Sequence, residues 1–213
     1  TGVVEPINGL IYTPEDRERN IKRFQKLLQD VLQVAKPDAV VGGFTGLHPN
    51  TESSTLFTTL TAEAFGLEPS FIHFANDMHI AYAAAFEPGE GVLVYAGTGS
   101  VGYHETKTGE VVSAGGYGYL IDDYGAGYWV GHEAIKHVMR AFDDLGHPSD
   151  SPLANAVYKI LGGSESKHIV SVLYGENPRS SVAALVPAVA EAALAGDKNA
   201  QDILRRSGQE LAR

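Results

Sequence analysis

The sequence lacks cysteine entirely, and this absence excludes several classes of chemistry at once. Among its 213 residues there is no thiol, so disulfide frameworks, thiolate nucleophiles, zinc–thiolate sites and cysteine-bound iron–sulfur clusters are ruled out for this chain. Eight histidines remain, but no two of them show the HxxxH spacing of paired metal ligands on a helix. The lack of cysteine suits a reducing compartment, and we expect a cytoplasmic protein.

Long apolar runs and an excess of positive charge are missing as well. No apolar run approaches the roughly 18 residues that span a bilayer, and the late stretch from Val186 to Leu194 is interrupted by Glu191. Sixteen basic residues stand against twenty-six acidic ones, which gives a formal net charge of −10. Such a surface repels phosphate backbones. The composition therefore argues against a nucleic acid or an anionic membrane as partner.

The first part of the chain alternates helical and strand patterns. Thr13 and Pro14 form a typical helix start, and a later helical stripe ends where Gly66 can serve as the C-cap. Helices and strands that alternate with short connections predict an α/β sheet with parallel neighbours. The predicted elements are a helix from residue 13, a strand over 38–41, a helix over 51–65, a strand over 71–74 and a small helix over 78–86.

The pattern changes after the segment Glu87-Pro88-Gly89-Glu90, which is a candidate domain boundary. We therefore divide the chain into residues 1–88 and residues 89–213. Hairpin strands are predicted first, followed by a glycine-rich stretch and then only helices. The predicted strands cover 91–96, 101–105 and 111–112, and the predicted helices cover about 132–144, Ser164 to Gly175, Ser180 to Ala195, and the chain from Asp197 onward.

Asn76 and Asp77 end an apolar strand and immediately precede a helix. This position is the edge at which open α/β sheets bind ligands, and Asp77 could accept a proton from a substrate hydroxyl. The alternative is that Asp77 only caps the following helix. Thr45, at the end of the preceding strand, could bind a ligand or satisfy its own turn.

A second motif is the small-residue segment Gly97-Thr98-Gly99-Ser100, here called the Gly97–Ser100 turn, between two predicted strands. Backbone without Cβ can approach a phosphate closely, and consecutive N–H donors form an anion-binding nest. The turn is not a P-loop, because no GK[ST] closes it and a strand follows. An ordinary hairpin tip is the alternative.

A third motif is the glycine-rich segment over 115–131, which surrounds the adjacent carboxylates of Asp122 and Asp123. Acidic groups on a backbone that tolerates positive φ suit a substrate with several hydroxyl groups, such as a sugar. A solvated acidic loop is the alternative. Two adjacent aspartates point in different directions and seldom hold a cation alone.

Taken in order, the Asn76-Asp77 pair, the Gly97–Ser100 turn and the segment from Gly115 to Gly131 resemble the N-acetylglucosamine kinase and BadF/BadG/BcrA/BcrD ATPase family. This family belongs to the actin, sugar kinase and Hsp70 superfamily, in which two lobes of ribonuclease-H-like design hold ATP between them. The order and spacing of three motifs are more specific than any one of them. The resemblance covers most of the chain and continues more weakly from Ala183 to Arg213.

The resemblance implies phosphoryl transfer from ATP, with Mg²⁺, to a hydroxyl of an amino sugar, N-acetylglucosamine or glucosamine. Asp77 matches the family's catalytic base, and catalysis of this kind rests mostly on positioning and charge neutralisation. The positions that match the family's second phosphate motif are Gly97, Thr98, Gly99 and Ser100, and those that resemble its sugar pocket are Asn8, Thr45, Asn76, Gly116, Tyr117 and Asp123.

The chain also departs from the family pattern. It lacks the Asp-Gly-Gly-Gly-Thr phosphate hairpin near the N-terminus and the late Gly-Gly adenosine motif. The resemblance therefore implies that residues 1–88 are the rest of the N-terminal lobe and residues 89–213 part of the C-terminal lobe, truncated at both ends. Tyr117, Asp122, Tyr124 and Ala126 replace the usual Trp, Gly, Glu and Ser. The added carboxylate of Asp122 could favour a free amine over an N-acetyl group.

Three functions stay open from the sequence. The first is an ATP-dependent amino-sugar kinase. The second is a sugar-binding or regulatory protein without turnover, and the third is a cluster-free ATPase that drives a partner protein. The expected partner of the first two is a small-molecule sugar, with neither a nucleic acid nor a membrane involved. Members of the family often dimerise, so a homodimer also stays open.

Overall fold

The computed structural model describes residue 5 and residues 7–9, 13–175 and 177–213. The chain has a mixed α/β architecture and divides into two compact units between Glu90 and Gly91. We call these the first unit and the second unit. No helix in the described ranges is long and apolar enough to cross a membrane.

The first unit contains a pair of parallel strands and three α-helices in its described residues. Strand β1 (Val40–Phe44) pairs with β2 (Ile72–Asn76), and Phe44 lies opposite Asn76. Both strands therefore end at the same edge, as expected for parallel neighbours. The helices are α1 (Pro14–Leu32), α2 (Glu52–Phe65) and α3 (Asp77–Ala83), with a 3₁₀ turn at Pro69–Phe71 before β2.

Local capping signals set the ends of α1 and α2. Thr13 Oγ1 accepts the Asp16 N–H at 3.1 Å, and Thr51 Oγ1 accepts the Ser54 N–H at 3.3 Å. Gly66 ends α2 with φ of 64°, a left-handed conformation that glycine adopts without steric cost. The predicted starts at Thr13 and Thr51 and the predicted stop at Gly66 are therefore confirmed.

An aromatic cluster joins α1 and α2 to both strands of the first unit. The ring of Phe24 in α1 lies 5.8 Å from Phe44 of β1, 4.7 Å from Phe57 of α2 and 5.9 Å from Phe74 of β2, measured between centroids. Phe24 and Phe57 are buried. Because one cluster contacts both strands, it fixes the strand ends from which the polar residues of the site follow.

The second unit begins with a three-stranded antiparallel sheet. Its strands are β3 (Leu93–Ala96), β4 (Ser100–Glu105) and β5 (Val111–Gly115), in the order β3-β4-β5. Ala96 pairs with Ser100, so the Gly97–Ser100 turn lies at the tip of the first hairpin. The predicted hairpins are confirmed, although β5 continues three residues beyond the predicted stretch over 111–112, to Gly115.

The rest of the second unit is helical, as predicted, but with different boundaries. The predicted single helix from Ser180 to Ala195 is wrong, because Pro187 has no N–H to continue the helical hydrogen bonds and a second helix starts there. The predicted cap at Ser164 is also wrong, since Glu165 occupies the N-cap position. The helices are α4 (Gly127–Leu145), α5 (Pro152–Leu161), α6 (Ser166–Leu173), α7 (Pro178–Ala183), α8 (Val186–Leu194) and α9 (Lys198–Leu211).

Gly131 allows α4 and α7 to pack in close contact. A Cβ at this position would lie 2.0 Å from the carbonyl oxygen of Val182. Gly131→Ala is therefore expected to lower the free energy of unfolding of the second unit by about 2–3 kcal/mol, because the helices must separate. Urea denaturation followed by the fluorescence of Trp129, the only tryptophan of the sequence, measures this loss.

Gly208 in α9 provides the matched control. It is exposed, and a Cβ there would have no neighbour within 4 Å. Gly208→Ala is expected to raise the free energy of unfolding by up to about 1 kcal/mol, because alanine has the higher helix propensity. A wild-type denaturation curve for Gly131→Ala would contradict the close packing of α4 on α7.

A group of charged side chains connects α4 to α9. Glu133, whose side chain is 15% exposed, accepts hydrogen bonds from Lys136 at 2.6 Å and Arg206 at 2.8 Å. The Arg206 guanidinium also pairs with Asp202 at 2.9 Å and lies 5.4 Å from the ring centroid of Trp129. Burial alone would raise the pKa of Glu133, but the hydrogen bonds from Lys136 and Arg206 outweigh it and lower that pKa.

Glu133→Gln is expected to destabilise the second unit more strongly near neutral pH than in acid. The pKa of Glu133 is lower in the folded than in the unfolded protein, so its carboxylate stabilises the fold above the unfolded pKa. This contribution is lost as the pH falls through the lowered folded pKa. We expect a loss of about 1 kcal/mol near pH 7 and a smaller loss near pH 3, where protonation has removed part of this contribution. Urea denaturation read at Trp129 over this pH range measures the difference.

The control for this prediction is Glu210→Gln in α9. Glu210 pairs at 2.9 Å with Arg213, whose side chain is exposed, and such pairs contribute little to stability. The control variant should therefore follow the wild type at both pH values. An equal loss for Glu133→Gln at both pH values would contradict the role of its charge.

Candidate functional site

The ends of β1 and β2 bring Thr45 and Asp77 together. Thr45 directly follows β1, Asp77 directly follows β2, and Thr45 Oγ1 donates a hydrogen bond to Asp77 Oδ2 at 2.6 Å. Thr45 is exposed and Asp77 is half-buried. This edge thus presents a carboxylate that is held in a fixed orientation and remains accessible to a ligand.

Asn76 and Asp77 both contact the start of α3. Asn76 is the N-cap, and its Oδ1 accepts the Met78 N–H at 2.9 Å. Asp77 Oδ1 accepts the same N–H at 3.0 Å. The capping position therefore belongs to Asn76, and Oδ2 of Asp77 is left for Thr45 and for a ligand. Sugar binding by Asn76 stays a prediction.

Gly43 of β1 allows α3 to start close to the sheet. A Cβ on Gly43 would lie 3.1 Å from the Cα of Asp77 and 3.1 Å from Cδ1 of Ile80. A side chain at Gly43 would therefore push Asp77 away from Thr45. The sequence predicted that the pair Gly42-Gly43 ends the strand at Val41, which is wrong, because β1 continues through both glycines to Phe44; a glycine inside a strand can mark a close approach of another backbone.

Asn8 lies near the strand edge that carries Thr45 and Asp77, because the next residue, Gly9, bonds to Thr45. The Gly9 N–H donates to the carbonyl oxygen of Thr45 at 2.8 Å. The side chain of Asn20 in α1, only 3% exposed, donates to the carbonyl oxygen of Asn8 at 2.9 Å. The structure thus brings Asn8, Thr45 and Asp77 to the same part of the first unit. Sequence reasoning missed Asn20, whose only signal was a polar residue on the buried face of α1.

In the second unit, the Gly97–Ser100 turn offers free backbone donors. The Ser100 N–H donates to Asp123 Oδ1 at 2.9 Å. The N–H groups of Thr98 and Gly99 donate to no acceptor within the described part of the chain. Two consecutive free donors on a small-residue turn are what a nest for an anion requires.

The carbonyl groups of the same turn cap α4. The Gly127 N–H donates to the Gly97 carbonyl at 2.8 Å, and the Tyr128 N–H donates to the Thr98 carbonyl at 3.0 Å. Ala126 is the N-cap and makes no side-chain cap bond. This contact explains why α4 begins at Gly127 and not near residue 132, where the sequence predicted it. The turn is therefore held by a long helix as well as by the sheet.

Asp123 is the buried residue around which the turn is organised. It is 3% exposed, with a φ of 61° that few residues other than glycine adopt. Its Oδ1 accepts the Ser100 N–H, and its Oδ2 lies 3.3 Å from Nη2 of Arg179. Both carboxylate oxygens thus have partners inside the second unit. Asp123 therefore positions the turn, and its predicted contact with the sugar stays a prediction.

The other predicted sugar-pocket residues lie in the loop after β5. Gly116 has a φ of 79°, and Tyr117 is 72% exposed. The Tyr117 N–H lies 3.5 Å from Asp122 Oδ2. Asp122 lines an open groove of about 830 Å³ together with Ser100 and other residues, which is the size of a small-molecule site. Sugar binding by Gly116 and Tyr117 stays a prediction.

Sequence reasoning missed Arg179. This residue of α7 lies 56 positions from Asp123 in the chain, and its guanidinium is 5.8 Å from the ring centroid of Tyr119. Its side chain is 47% exposed. No local motif distinguished it from the other basic residues, because only the packing of α7 on α4 brings it to the turn.

A protein-built metal site is not found among the described residues, since no three or more His, Asp or Glu side chains converge there. Mg²⁺ prefers oxygen ligands and is commonly bound through one or two carboxylates together with substrate phosphates.

Two curated relatives match part of this chain. It is 32% identical over 137 residues to the N-acetylmuramic acid/N-acetylglucosamine kinase of Clostridium acetobutylicum, which is 64% of this chain and 44% of that protein. It is 32% identical over 116 residues to the N-acetyl-D-glucosamine kinase of Dictyostelium discoideum, which is 54% of this chain and 36% of that protein. The chain thus spans less than half the length of these curated relatives.

Solved structures and a family model match much more of the chain. A proposed N-acetylglucosamine kinase from Chromobacterium violaceum has a TM-score of 0.67 at 26% identity, covering 93% of this chain and 67% of that one. A second one, from Porphyromonas gingivalis, has a TM-score of 0.68 at 18% identity over 94% and 67%, and supports the fold alone. Both agree with an α/β fold of the actin-like ATPase type. The family model matches residues 9–213, and the chain belongs to the BadF/BadG/BcrA/BcrD ATPase family.

Proposed function

We propose that the protein transfers a phosphoryl group from ATP to a hydroxyl of an amino sugar, with Asp77 as the general base. The observation that carries this proposal is the 2.6 Å hydrogen bond by which Thr45 holds the Asp77 carboxylate at the edge of the parallel strands. Further support comes from the two curated relatives, both of which are named as kinases that act on N-acetylglucosamine.

The contacts of Asp77 suit a base. Each carboxylate oxygen has more than one lone pair, so the bonds to Met78 N–H and Thr45 Oγ1 leave capacity for a sugar hydroxyl. As the sugar oxygen bonds to the γ-phosphorus of ATP, its proton passes to Asp77 and the bond to the leaving ADP oxygen breaks. Asn8 and Thr45 are the proposed sugar contacts on this unit.

The Gly97–Ser100 turn is the proposed phosphate-binding segment. The free N–H groups of Thr98 and Gly99 suit phosphate oxygens, and Asp123 holds the turn in place through Ser100. Mg²⁺, when bound to the nucleotide, neutralises part of the charge on the phosphates. In this proposal the first and second units are parts of the two lobes of an actin-type ATPase.

A coupled assay of ADP release on the full-length protein tests the proposal. ADP release should depend on an added hexosamine, and N-acetylglucosamine and glucosamine should be compared directly. A preference for glucosamine would support an ion pair between its amine and Asp122, whereas a preference for the acetylated sugar would contradict that pair. Absence of hexosamine-dependent ADP release would overturn the kinase.

The two other functions stay open because the loop residues Tyr117 and Asp122 depart from the family pattern. Titration calorimetry distinguishes both of them from the kinase. The kinase should bind both a hexosamine and ATP. A sugar-binding or regulatory protein should bind the hexosamine without turnover. A cluster-free ATPase should bind ATP and release ADP without any sugar.

A further inference from the structure

The guanidinium of Arg179 lies beside the Gly97–Ser100 turn. A Cβ built on Gly99 would be 2.7 Å from Nη2 of Arg179, so this nitrogen borders the backbone whose N–H groups are free. The ion pair with Asp123 and the contact with the Tyr119 ring hold the side chain there. A cation is therefore fixed next to the proposed phosphate-binding donors.

The ion pair with Asp123 uses only part of the hydrogen-bonding capacity of Arg179. A guanidinium carries five N–H donors, and within the described residues only Nη2 has an acceptor, Asp123 Oδ2 at 3.3 Å. The side chain is about half exposed. The other donors are thus available to a ligand, and an arginine fork suits phosphate oxygens.

The negative charge near the turn explains why a cation is needed beside it. The chain has a formal net charge of −10, and the buried Asp123 carboxylate sits directly behind the turn. Without a neighbouring cation, this carboxylate would repel a bound phosphate. Arg179 neutralises Asp123 and still has donors to offer.

We propose that Arg179 binds a phosphate group of the nucleotide together with the Thr98 and Gly99 N–H groups, an inference that rests on the proposed function. The competing explanation is that Arg179 only fixes Asp123 and thereby the turn. The two explanations predict different effects of Arg179→Gln in a protein that already carries Asp123→Asn. In that variant the ion pair is broken, but Asn Oδ1 can still accept the Ser100 N–H.

The test is calorimetric titration of the full-length protein with ATP and, separately, with the hexosamine that the assay identifies. Arg179→Gln should weaken ATP binding by about 10- to 100-fold and leave hexosamine affinity within about twofold. Arg179→Lys keeps a positive charge, so it should weaken ATP binding less than Arg179→Gln does. In the Asp123→Asn background, Arg179→Gln should again weaken ATP binding by about tenfold or more.

Arg205→Gln is the matched control, because Arg205 is also half-exposed and ion-paired, with Asp202, but lies in α9 without contact to the turn. It should bind ATP as the wild type does. The inference is overturned if Arg179→Gln has no effect on ATP affinity, or none once Asp123 is Asn. A wild-type protein that binds no ATP would overturn the proposed function, and the inference with it.

Discussion

Asp77→Asn is expected to abolish sugar-dependent ATP turnover while the sugar still binds. Asparagine keeps the shape of the side chain and can still accept the hydrogen bond from Thr45 that holds Asp77 in place, but its amide cannot take up a proton. Loss of a general base should lower kcat by about 10²–10⁴-fold. The coupled ADP assay measures turnover, and calorimetric titration with the hexosamine measures binding, which should change by less than about threefold.

The matched control is Asp38→Asn, which makes the same substitution just before β1, at the end of that strand opposite Thr45. Asp38 is exposed, and the variant should keep the turnover of the wild type. Turnover that survives in Asp77→Asn would contradict the role of Asp77 as base. Loss of hexosamine binding together with turnover would instead make Asp77 a ligand contact.

Those features of the fold that depend on neighbouring residues could be predicted from the sequence. The caps at Thr13 and Thr51 each involve an N–H three residues away, so the signal and its partner lie within one helical turn. Gly66 ends α2 by its own backbone conformation. The hairpin strands follow equally from short-range alternation and turn residues.

Features that depend on distant contacts could not be predicted in the same way. The start of α4 depends on the carbonyl groups of Gly97 and Thr98, which lie some 30 residues before it. Its first five residues include Gly127 and Gly131, and it has no side-chain cap, so local propensity places the start too late. The break between α7 and α8 is different from the start of α4, because Pro187 was itself a local signal in the sequence that a helix does not continue.

The same distinction between local and distant contacts applies to the residues of the candidate site. Thr45 and Asp77 could be paired from the sequence, because parallel strands end at one edge and each residue directly follows a strand. Asn20 and Arg179 could not, since each reaches its partner only through the packing of its helix. The residues that hold the motifs in place are thus harder to predict than the motifs.

Gly99→Ala is expected to weaken ATP binding by about 10- to 100-fold. The added Cβ would lie 2.5 Å from Asp123 Oδ1 and 2.7 Å from Arg179 Nη2. Asp123 is buried and bonded to Ser100, so the carboxylate cannot swing away and the turn must move instead. The displaced N–H groups would then lose a hydrogen bond to a phosphate, and such a bond to a charged group contributes about 1.5–3 kcal/mol, which corresponds to the expected loss in affinity. Calorimetric titration of the full-length protein with ATP measures it.

Gly102→Ala makes the same substitution three residues along the chain, inside β4. Its Cβ would meet Ala114 at 3.6 and 3.7 Å, which is ordinary van der Waals contact, and ATP affinity should remain that of the wild type. If Gly99→Ala binds ATP as tightly as Gly102→Ala, the contact with Asp123 does not shape the turn. A loss of ATP affinity confined to Gly99→Ala would instead show that phosphate binding depends on the close contact of the Gly99 backbone with the Asp123 carboxylate and the Arg179 guanidinium.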